Sequence, residues 1–558
     1  MNDRDAKMAL SSQIEQTDIT NVRTLQDVVD PARMKATGYM MFFCAWVSFA
    51  AWIANFDAGY SGIVLIMPSY NKAFGHCGMA PNPETGRVMM MCQLSATQQS
   101  LICVSSLFMA LGGPIAGVTG NYFGRRGTIQ IACVLLIVGA AGMLGTSGSF
   151  LNYMVCKCIS GVGIGQLLAS SIVYGTECCA ASKRGLMMGL YNVGLAMGNV
   201  GAAAVCAASG LGFKMTNDWQ WKTPIICQIP LGLLLGVGVM MFPESPRWLL
   251  TKGREESARM SFGKFYKLDP HSPEITAQVV DVQTYIELEK AQGATTSWTE
   301  IYHKTNIRRT FISVMILVGL SISGVQFVAP YAALFLSQSG IKNPYLINVI
   351  IGLCIFAGAF PGPFILEYGG RRFAMLVGYS LMALCMLIFS AVSTGLGPTN
   401  SIAKSVLVAF LCIWAFVFGG CIGSSVWLAS AEMHSVRLRT YGQANTTFFY
   451  QIFVFAASFW TPYMLSKDYG NMGTNVGYFY FGVTIVVLAF TFLFVPETAR
   501  LTLEQIDDYF TSRRMAWSTS TRRNKLIASG NMYDVSPEAH ERMIHQMKEK
   551  SEHHIGAL

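Results

Sequence analysis

The sequence predicts an all-α integral membrane protein with twelve membrane-spanning helices in two similar halves. Three observations support this fold class: an apolar composition, long apolar runs, and charged motifs that occur once in each half. Apolar residues fill 52% of the 558 positions and charged residues 13%, which is about half the charged share of soluble proteins. A soluble chain of this length would need more charge to cover its surface.

Twelve apolar runs are long enough to cross a hydrocarbon core about 30 Å thick. Numbered in chain order, spans 1 to 12 are predicted at residues 38–67, 95–118, 127–148, 151–173, 184–209, 223–242, 310–337, 345–366, 372–396, 403–428, 438–465 and 475–496. The predicted domains are an N-terminal tail (1–37), a first six-helix half (38–242), a helical linker (243–309), a second six-helix half (310–496) and a C-terminal tail (497–558).

Positive charge predicts the orientation, because cytoplasmic loops are enriched in Lys and Arg. The basic residues of alternate loops are Arg125, Arg126, Lys183, Arg184, Arg371, Arg372, Arg437 and Arg439, whereas the opposite loops hold single lysines such as Lys72 and Lys342. We therefore expect both termini in the cytoplasm. This asymmetry and anionic lipid headgroups account for the net charge of +9, so a lipid bilayer is the expected partner and nucleic acid is not.

Three charged motifs recur in the same order, about 250 residues apart, which predicts a duplicated half. GNYFGRR (120–126) corresponds to EYGGRR (367–372), and ECCAASKR (177–184) to EMHSVRLR (432–439). PESPRWL (243–249) corresponds to PETARLTL (496–503). One matching pair of motifs could arise by chance, but three in register point to a repeat.

These motifs predict a cytoplasmic gate, in which acids and bases pair between the ends of neighbouring helices. Each such pair at the water interface is weak, as a gate that opens in every cycle requires. The alternative is that the bases only anchor the topology. The predicted gate residues are Arg125, Arg126, Glu177, Arg184, Glu244, Arg247, Glu367, Arg371, Arg372, Glu432, Arg439 and Glu497.

The motifs resemble those of the sugar porters, a branch of the major facilitator superfamily. PESPRWL (243–249), VPETARLTLEQID (495–507) and NFDAGYSG (55–62) carry the likeness, which covers about residues 38–510. YGTECC (174–179), Tyr191-Asn192 and SVRLRT (435–440) look most like fungal maltose and α-glucoside permeases. The resemblance implies the major facilitator fold, with a substrate site between the halves near the membrane midplane.

The sequence departs from the family pattern at positions that concern function. The acid expected in the first loop motif is Asn121, and Tyr122 follows it, so one half of the gate lacks its acid. The paired glutamines of span 7 are Leu320 and Ser321 here, and Ile355 replaces an asparagine in span 8. The substrate ligands that the resemblance and the remaining polar residues suggest are Gln166, Asn192, Gln326, Tyr331, Trp427, Tyr450 and Gln451. The alternative role for these residues is hydrogen bonding between helices.

Two ionisable residues fall well inside spans, namely Asp57 in span 1 and Lys157 in span 4. At 1.5 Å per residue they lie at nearly the same depth. A lone charge at the bilayer centre costs about 3 kcal/mol, so we expect the two to pair. In proton-coupled sugar porters the matching positions hold Asp and Arg, which implies a role in proton coupling. The alternative is a static ion pair that joins two helices.

The cysteines and the remaining motifs add little to the predicted function. Cys77 and Cys92 lie in or beside the first outside loop and could form a disulfide, whereas most of the other cysteines fall within apolar spans. The sequence shows no metal-ligand spacing, nucleophile elbow or phosphate-binding loop, so neither a metal, a cofactor nor an enzymatic activity is expected.

The sequence therefore predicts a monomeric, proton-coupled importer of a sugar in a plasma membrane, with a disaccharide or glycoside favoured over a free hexose. Three alternatives remain open at this stage. They are an uncoupled facilitator, a carrier of another polar metabolite such as a polyol or a quinate-like acid, and a nutrient sensor built on a transporter frame.

Overall fold

The computed structural model describes residues 37–81, 88–146, 148–179, 184–293, 298–303, 306–338, 343–397, 400–435, 438–466, 468–499, 501, 506, 509–510 and 515–528. Within these ranges, eleven helices are long and apolar enough to cross a membrane. The longest, Ala96–Gly145, has 50 residues and would extend about 75 Å, more than twice the hydrocarbon thickness. It is broken at Gly124, where φ is 79°, and therefore contains both span 2 and span 3. The predicted fold of twelve membrane helices in two halves is confirmed.

The chain divides into two compact units, residues 1–295 and 296–558. The spans of the first unit are Gly38–Ile63 (span 1), Ala96–Leu101 and Val104–Gly145 (spans 2 and 3), Phe150–Cys178 (span 4), Arg184–Gly212 (span 5), and Trp219–Ile226 with Gln228–Gly238 (span 6). Side-chain caps begin several of these helices. Thr37 accepts a hydrogen bond from the Met40 amide, and Ser95 forms a capping box with Gln98.

An antiparallel hairpin of strands β1 (His76–Pro81) and β2 (Val88–Gln93) follows span 1 and a short helix, Pro68–Phe74. No strand is predicted here from the sequence. Cys77 lies directly opposite Cys92 in the register, and a disulfide joins the two residues. The pairing of the strands therefore brings together the two cysteines that the sequence singled out.

The linker helices Pro246–Thr251, Glu255–Tyr266 and Pro273–Gly293 belong to the first unit. An aromatic cluster attaches the second of these helices to the spans. The Phe43 ring meets the rings of Tyr174, Phe242 and Phe265 at centroid distances of 4.8, 5.2 and 5.0 Å. The Thr37 hydroxyl also donates to the Phe265 carbonyl at 2.6 Å. The linker thus packs against one end of spans 1, 4 and 6, below called the linker end.

The spans of the second unit are Ile307–Leu320 with Gln326–Gln338 (span 7), Pro344–Ala359 with Gly362–Tyr368 (span 8), Arg371–Leu396 (span 9), Ser401–Val417 with Ser425–Glu432 (span 10), Arg439–Leu465 (span 11) and Val476–Phe494 (span 12). Spans 7 and 10 each contain a π-helical turn, at Ser321–Val325 and Phe418–Ile422. Spans 8 and 10 approach closely through small residues, because a Cβ added to Gly358 or Gly419 would meet backbone of the facing helix. A helical segment of the C-terminal tail, Thr521–Ala528, also belongs to this unit.

Candidate functional site

Asp57 and Lys157 form an ion pair inside the first unit. The Lys157 Nζ atom lies 2.7 Å from each carboxylate oxygen of Asp57, and the two side chains are only 2% and 6% exposed. Lys157 also donates to the Tyr60 hydroxyl at 3.1 Å, and its ammonium lies 4.5 Å from the centre of the Tyr60 ring. A single ammonium thus contacts both carboxylate oxygens, although lysine lacks the planar fork of arginine.

Gln228 of span 6 also belongs to this cluster, although it is not among the site residues predicted from the sequence. Its Nε2 atom donates to Asp57 Oδ1 at 2.7 Å, and the residue is fully buried. Its Oε1 atom has no hydrogen-bond partner within the described ranges. A glutamine inside an otherwise apolar run was the available signal, since a buried amide needs partners. Gln228 connects span 6 to the ion pair that joins spans 1 and 4.

The two suggested substrate ligands of the first unit lie on spans 4 and 5. Gln166 is buried, and its Oε1 atom lacks a hydrogen-bond partner in the described part of the chain. Asn192 is half-buried and follows Tyr191, whose hydroxyl donates to the Leu168 carbonyl at 3.3 Å. Span 5 is thereby tied to span 4 beside Asn192. The unused oxygen of Gln166 could accept a hydrogen bond from a ligand hydroxyl.

The suggested ligands of the second unit lie on spans 7, 10 and 11. Gln326 directly follows the π-helical turn of span 7, and its Oε1 atom accepts a hydrogen bond from Ser458 of span 11 at 3.2 Å. Tyr331 is buried one helical turn further along. The Trp427 ring, 37% exposed, meets the Tyr450 ring edge-on at 5.0 Å. Gln451, next to Tyr450, is half-buried.

Leu320 and Ser321, where the family pattern has paired glutamines, are both buried. The Ser321 hydroxyl donates to the Val318 carbonyl of its own helix at 2.8 Å. Neither side chain replaces the hydrogen-bonding capacity of a glutamine amide. Span 7 instead offers the side-chain amide of Gln326, further along the helix, for a polar contact.

Six residues of the first unit form a charge cluster at the linker end, below called the first charge cage: Gly124, Arg125, Arg126, Glu177, Glu244 and Ser245. The Arg125 guanidinium binds Glu177 with two hydrogen bonds, from Nε at 3.0 Å and Nη2 at 2.9 Å. The Ser245 hydroxyl donates to the same carboxylate at 2.6 Å. Because charge-assisted, bidentate bonds are stronger than neutral ones, this pair joins spans 3 and 4 firmly.

Glu244 follows span 6, and its side chain reaches the turn between spans 2 and 3. Its carboxylate accepts backbone hydrogen bonds from Arg125 at 2.9 Å and Arg126 at 3.2 Å, at the positive end of the helix that begins there. Burial raises the pKa of the Glu244 carboxyl above its ordinary value, while the backbone amides act in the opposite direction. The Arg126 guanidinium donates to the Met240 carbonyl at 3.1 Å, which ties span 3 to the end of span 6.

A second charge cage in the second unit repeats these contacts with Gly370, Arg371, Arg372, Glu432, Glu497 and Thr498. Arg371 donates to Glu432 from Nη2 at 2.9 Å, and the Thr498 hydroxyl donates to the other oxygen of that carboxylate at 2.6 Å. Glu497 accepts from the backbone of Arg371 at 2.9 Å and of Arg372 at 3.1 Å. Arg372 donates to the Phe492 carbonyl of span 12 at 2.8 Å.

Four predicted gate residues are not counted among the members of either charge cage. Arg247 is half-buried on the linker helix Pro246–Thr251, and Glu367 is exposed near the end of the helix Gly362–Tyr368. Arg439 begins span 11 and lies near His434, whereas the side chain of Arg184 falls outside the described residues. Asn121 stands where the family pattern has an acid, and the first charge cage has two carboxylates without it. Asn121 uses its carbonyl to accept from Trp248, and Glu177 and Glu244 supply the carboxylates.

The sequence profile of the sugar (and other) transporter family matches residues 43–510. The chain belongs to this family. Relatives include a probable glucose transporter of Neurospora crassa, 26% identical over 83% of this chain and 78% of its own length. A high-affinity glucose transporter of Schizosaccharomyces pombe is 26% identical over 87% of this chain and 90% of its own length. A hexose transporter of Saccharomyces cerevisiae is 26% identical over 86% of this chain and 87% of its own length.

Solved structures show the same fold. The partially occluded, inward-open conformation of the xylose transporter XylE from E. coli superposes with a TM-score of 0.66 at 20% identity, over 83% of this chain and 99% of XylE. A second structure, described as the proton:xylose symporter XylE bound to 6-bromo-6-deoxy-D-glucose, gives the same TM-score over 85% of this chain. This protein is thus a multi-pass membrane transporter of the sugar family. The relatives named here are glucose and hexose transporters, so the expected likeness to maltose permeases receives no support from them.

Proposed function

We propose that the protein imports a sugar together with protons across a plasma membrane, with both termini in the cytoplasm. The buried Asp57–Lys157 pair is the observation that carries this proposal. Two opposite charges withdrawn from water inside a membrane span are costly, and hydrophobic residues of the same volume would pack at less cost. Uptake and release of a proton is a function that would justify this cost.

Asp57 is the proposed proton carrier. In this proposal the Asp57 carboxylate pairs with the Lys157 ammonium in one conformation and takes up a proton in a conformation that separates the two. Gln228 of span 6 donates to Asp57 Oδ1 at 2.7 Å, so the carboxyl group keeps a neutral partner when Asp57 moves away from Lys157. A shift of span 1 against span 4 would thereby couple protonation to conformation.

The proposed sugar ligands are Gln166, Asn192, Gln326, Tyr331, Trp427, Tyr450 and Gln451. The names of the relatives favour a hexose, and the unpartnered oxygen of Gln166 suits a hydroxyl donor. A disaccharide or glycoside remains the second candidate, because Leu320 and Ser321 remove the paired amides expected of a hexose site. Loss of one hydrogen-bond partner costs about 1–2 kcal/mol, so Gln166→Ala should raise the KM about five- to thirty-fold.

Counterflow and net accumulation together test the coupling. The variant Asp57→Asn removes the titrating group and keeps nearly the same shape. In proteoliposomes it should lose uphill accumulation driven by a proton gradient while retaining exchange of labelled sugar. Asp218→Asn is the matched control, since Asp218 is half exposed and lies before span 6, away from the pair.

Undiminished uphill accumulation by Asp57→Asn would exclude Asp57 as the proton carrier. Sugar movement by the native protein without any response to a proton gradient would identify an uncoupled facilitator. Binding without movement would identify a nutrient sensor. The same vesicles, loaded in turn with hexoses, disaccharides and polyols, determine the substrate class.

A further inference from the structure

Residues 515–528 of the C-terminal tail, below called the tail segment, cover the second charge cage. The Asn524 amide donates to the carbonyls of Glu497 at 2.9 Å and Ala499 at 3.0 Å, and Asn524 is only 2% exposed. The Thr521 hydroxyl donates to the Gly369 carbonyl at 2.6 Å. These bonds satisfy backbone carbonyls at the ends of spans 8 and 12, so the segment is an integral part of the cage.

Thr519 occupies the centre of this contact. Its hydroxyl accepts a hydrogen bond from the Glu497 amide at 2.8 Å and donates to the Ala516 carbonyl at 2.6 Å. Thr519 is half-buried and has an extended backbone, whereas Ser518 and Ser520 on either side are exposed. The Thr519 hydroxyl therefore holds the tail segment to the residue whose carboxylate caps span 9.

A phosphate on Thr519 is incompatible with this contact. It adds a charge of about −1.5 to −2 and a bulky group where one hydroxyl fits between Glu497 and Ala516. Glu497 is 2% exposed, and its carboxylate already accepts bonds from the amides of Arg371, Arg372 and Ala499. Repulsion between the phosphate and the Glu497 carboxylate would separate the tail segment from the cage, and so would the loss of the hydrogen bond from the Glu497 amide to Thr519.

The sequence around Thr519 suits a kinase with an acidic cleft. Arg513 and Arg514 precede the threonine, and Arg522, Arg523 and Lys525 follow it. Kinases select substrates through such charge patterns. The segment lies at the surface, where Trp517 is 51% exposed, and local opening would present the hydroxyl.

We propose that Thr519 is a phosphorylation site and that its phosphorylation releases the tail segment from the second charge cage. The proposal rests on the cytoplasmic orientation of the tail given under the proposed function. The Thr519 oxygen forms a bond to the γ-phosphorus of ATP as the bond from that phosphorus to the β-γ bridging oxygen breaks. ADP leaves with the electron pair, and the hydroxyl proton passes to a base of the kinase.

The test uses the purified full-length protein with magnesium, ATP and a Ser/Thr kinase that prefers basic substrates. Mass spectrometry should find phosphate on Thr519, and Thr519→Val should remove that signal. Amide hydrogen exchange of the peptide covering 515–528 should become about ten-fold faster or more after phosphorylation and in Thr519→Glu. Ser520→Asp is the matched control and should exchange as the native protein does, because Ser520 is exposed and Asp adds a negative charge while it can still accept from the Arg523 amide, as the Ser520 hydroxyl does at 3.3 Å.

Phosphate confined to Ser518, Ser520 or Thr521 would overturn the proposed site. Exchange within two-fold of native in Thr519→Glu would overturn the release. Neither measurement requires sugar movement, so either failure leaves the proposed transport function untouched. Conversely, a protein that fails to transport sugar but is phosphorylated and released at Thr519 counts only against the transport proposal.

Discussion

The two charge cages share one plan and differ in two respects. Each has a glycine with positive φ before two arginines, 79° at Gly124 and 98° at Gly370, and a glutamate that caps the following helix. Arg125 binds Glu177 through two nitrogens, whereas Arg371 binds Glu432 through Nη2 alone. The Arg371 Nε atom is buried and has no partner within the described residues.

The segments that pack over the two cages, here called their covers, differ as well. Ser261 of the linker helix Glu255–Tyr266 donates to the Glu244 carbonyl at 2.7 Å, and in the second cage Asn524 of the tail donates to the corresponding Glu497 carbonyl. The repeat therefore preserves the cage and the requirement for a cover, while different parts of the chain supply that cover. The first cage has the stronger ion pair, and the second has the cover that a modification could release.

Substitution of the two glycines should produce the largest effect and should affect both cages equally. Gly124→Ala and Gly370→Ala each place a Cβ against a carboxylate, of Glu244 or Glu497, on a backbone with positive φ. We expect a loss of about 3 kcal/mol or more in each, because strain and the lost helix cap add. Thermal unfolding in detergent measures this loss of stability. Gly189→Ala is the control, since a Cβ added there meets no atom within 4 Å. A loss confined to one variant would contradict the equivalence of the cages.

Neutralisation of the paired acids should reveal the difference between the cages. Glu177→Gln breaks a two-bonded pair and leaves a partly buried guanidinium, so we expect a loss of about 3 kcal/mol. Glu432→Gln breaks a single bond to Arg371 and should cost about 2 kcal/mol. Glu367→Gln, at an exposed acid, is the control. If the cages also form the proposed gate, a cysteine introduced at Asn192 should be alkylated faster from the side of the linker end in both variants. Equal losses of stability would show that the second hydrogen bond of Arg125 adds no stability to the first cage.

A smaller, pH-dependent effect should appear beside the second cage only. His434 lies two residues after Glu432, as Cys179 lies two residues after Glu177, and its Nε2 atom is 3.2 Å from the Thr446 hydroxyl. Burial, with the cations Arg439 and Arg309 nearby, lowers the pKa of His434 to about 4. The folded state therefore favours the neutral imidazole, and the unfolded chain takes up the proton first.

The stability that His434 contributes is present above its ordinary pKa of about 6.5 and is lost as the pH falls toward 4. Between pH 7 and pH 5 the native protein should lose about 1–2 kcal/mol more than His434→Gln. Unfolding curves of both proteins at the two pH values measure the difference. Identical pH dependence in the two proteins would show that folding does not lower the pKa of His434.

Much of this molecule could be predicted from the sequence because the signals are local or repeated. Apolar runs of about twenty residues identify spans, and three motifs in register identify the two halves. The pairing of Asp57 with Lys157 could be predicted from depth alone, since a charge in hydrocarbon needs a partner and the sequence offered one at the same level. The disulfide between Cys77 and Cys92 was only one possibility until the strands placed the two residues opposite each other.

The sequence by itself determined the class of protein, the positions of its spans and the acids and bases of the cages. Only the tertiary structure decided which acid meets which base, that Gln228 completes the ion pair, that Asn121 leaves the first cage intact, and that the tail covers the second. The reason is physical. Hydrophobic length and charge are properties of a segment, whereas a hydrogen bond requires two atoms about 3 Å apart, and here those atoms are separated by tens to hundreds of residues along the chain.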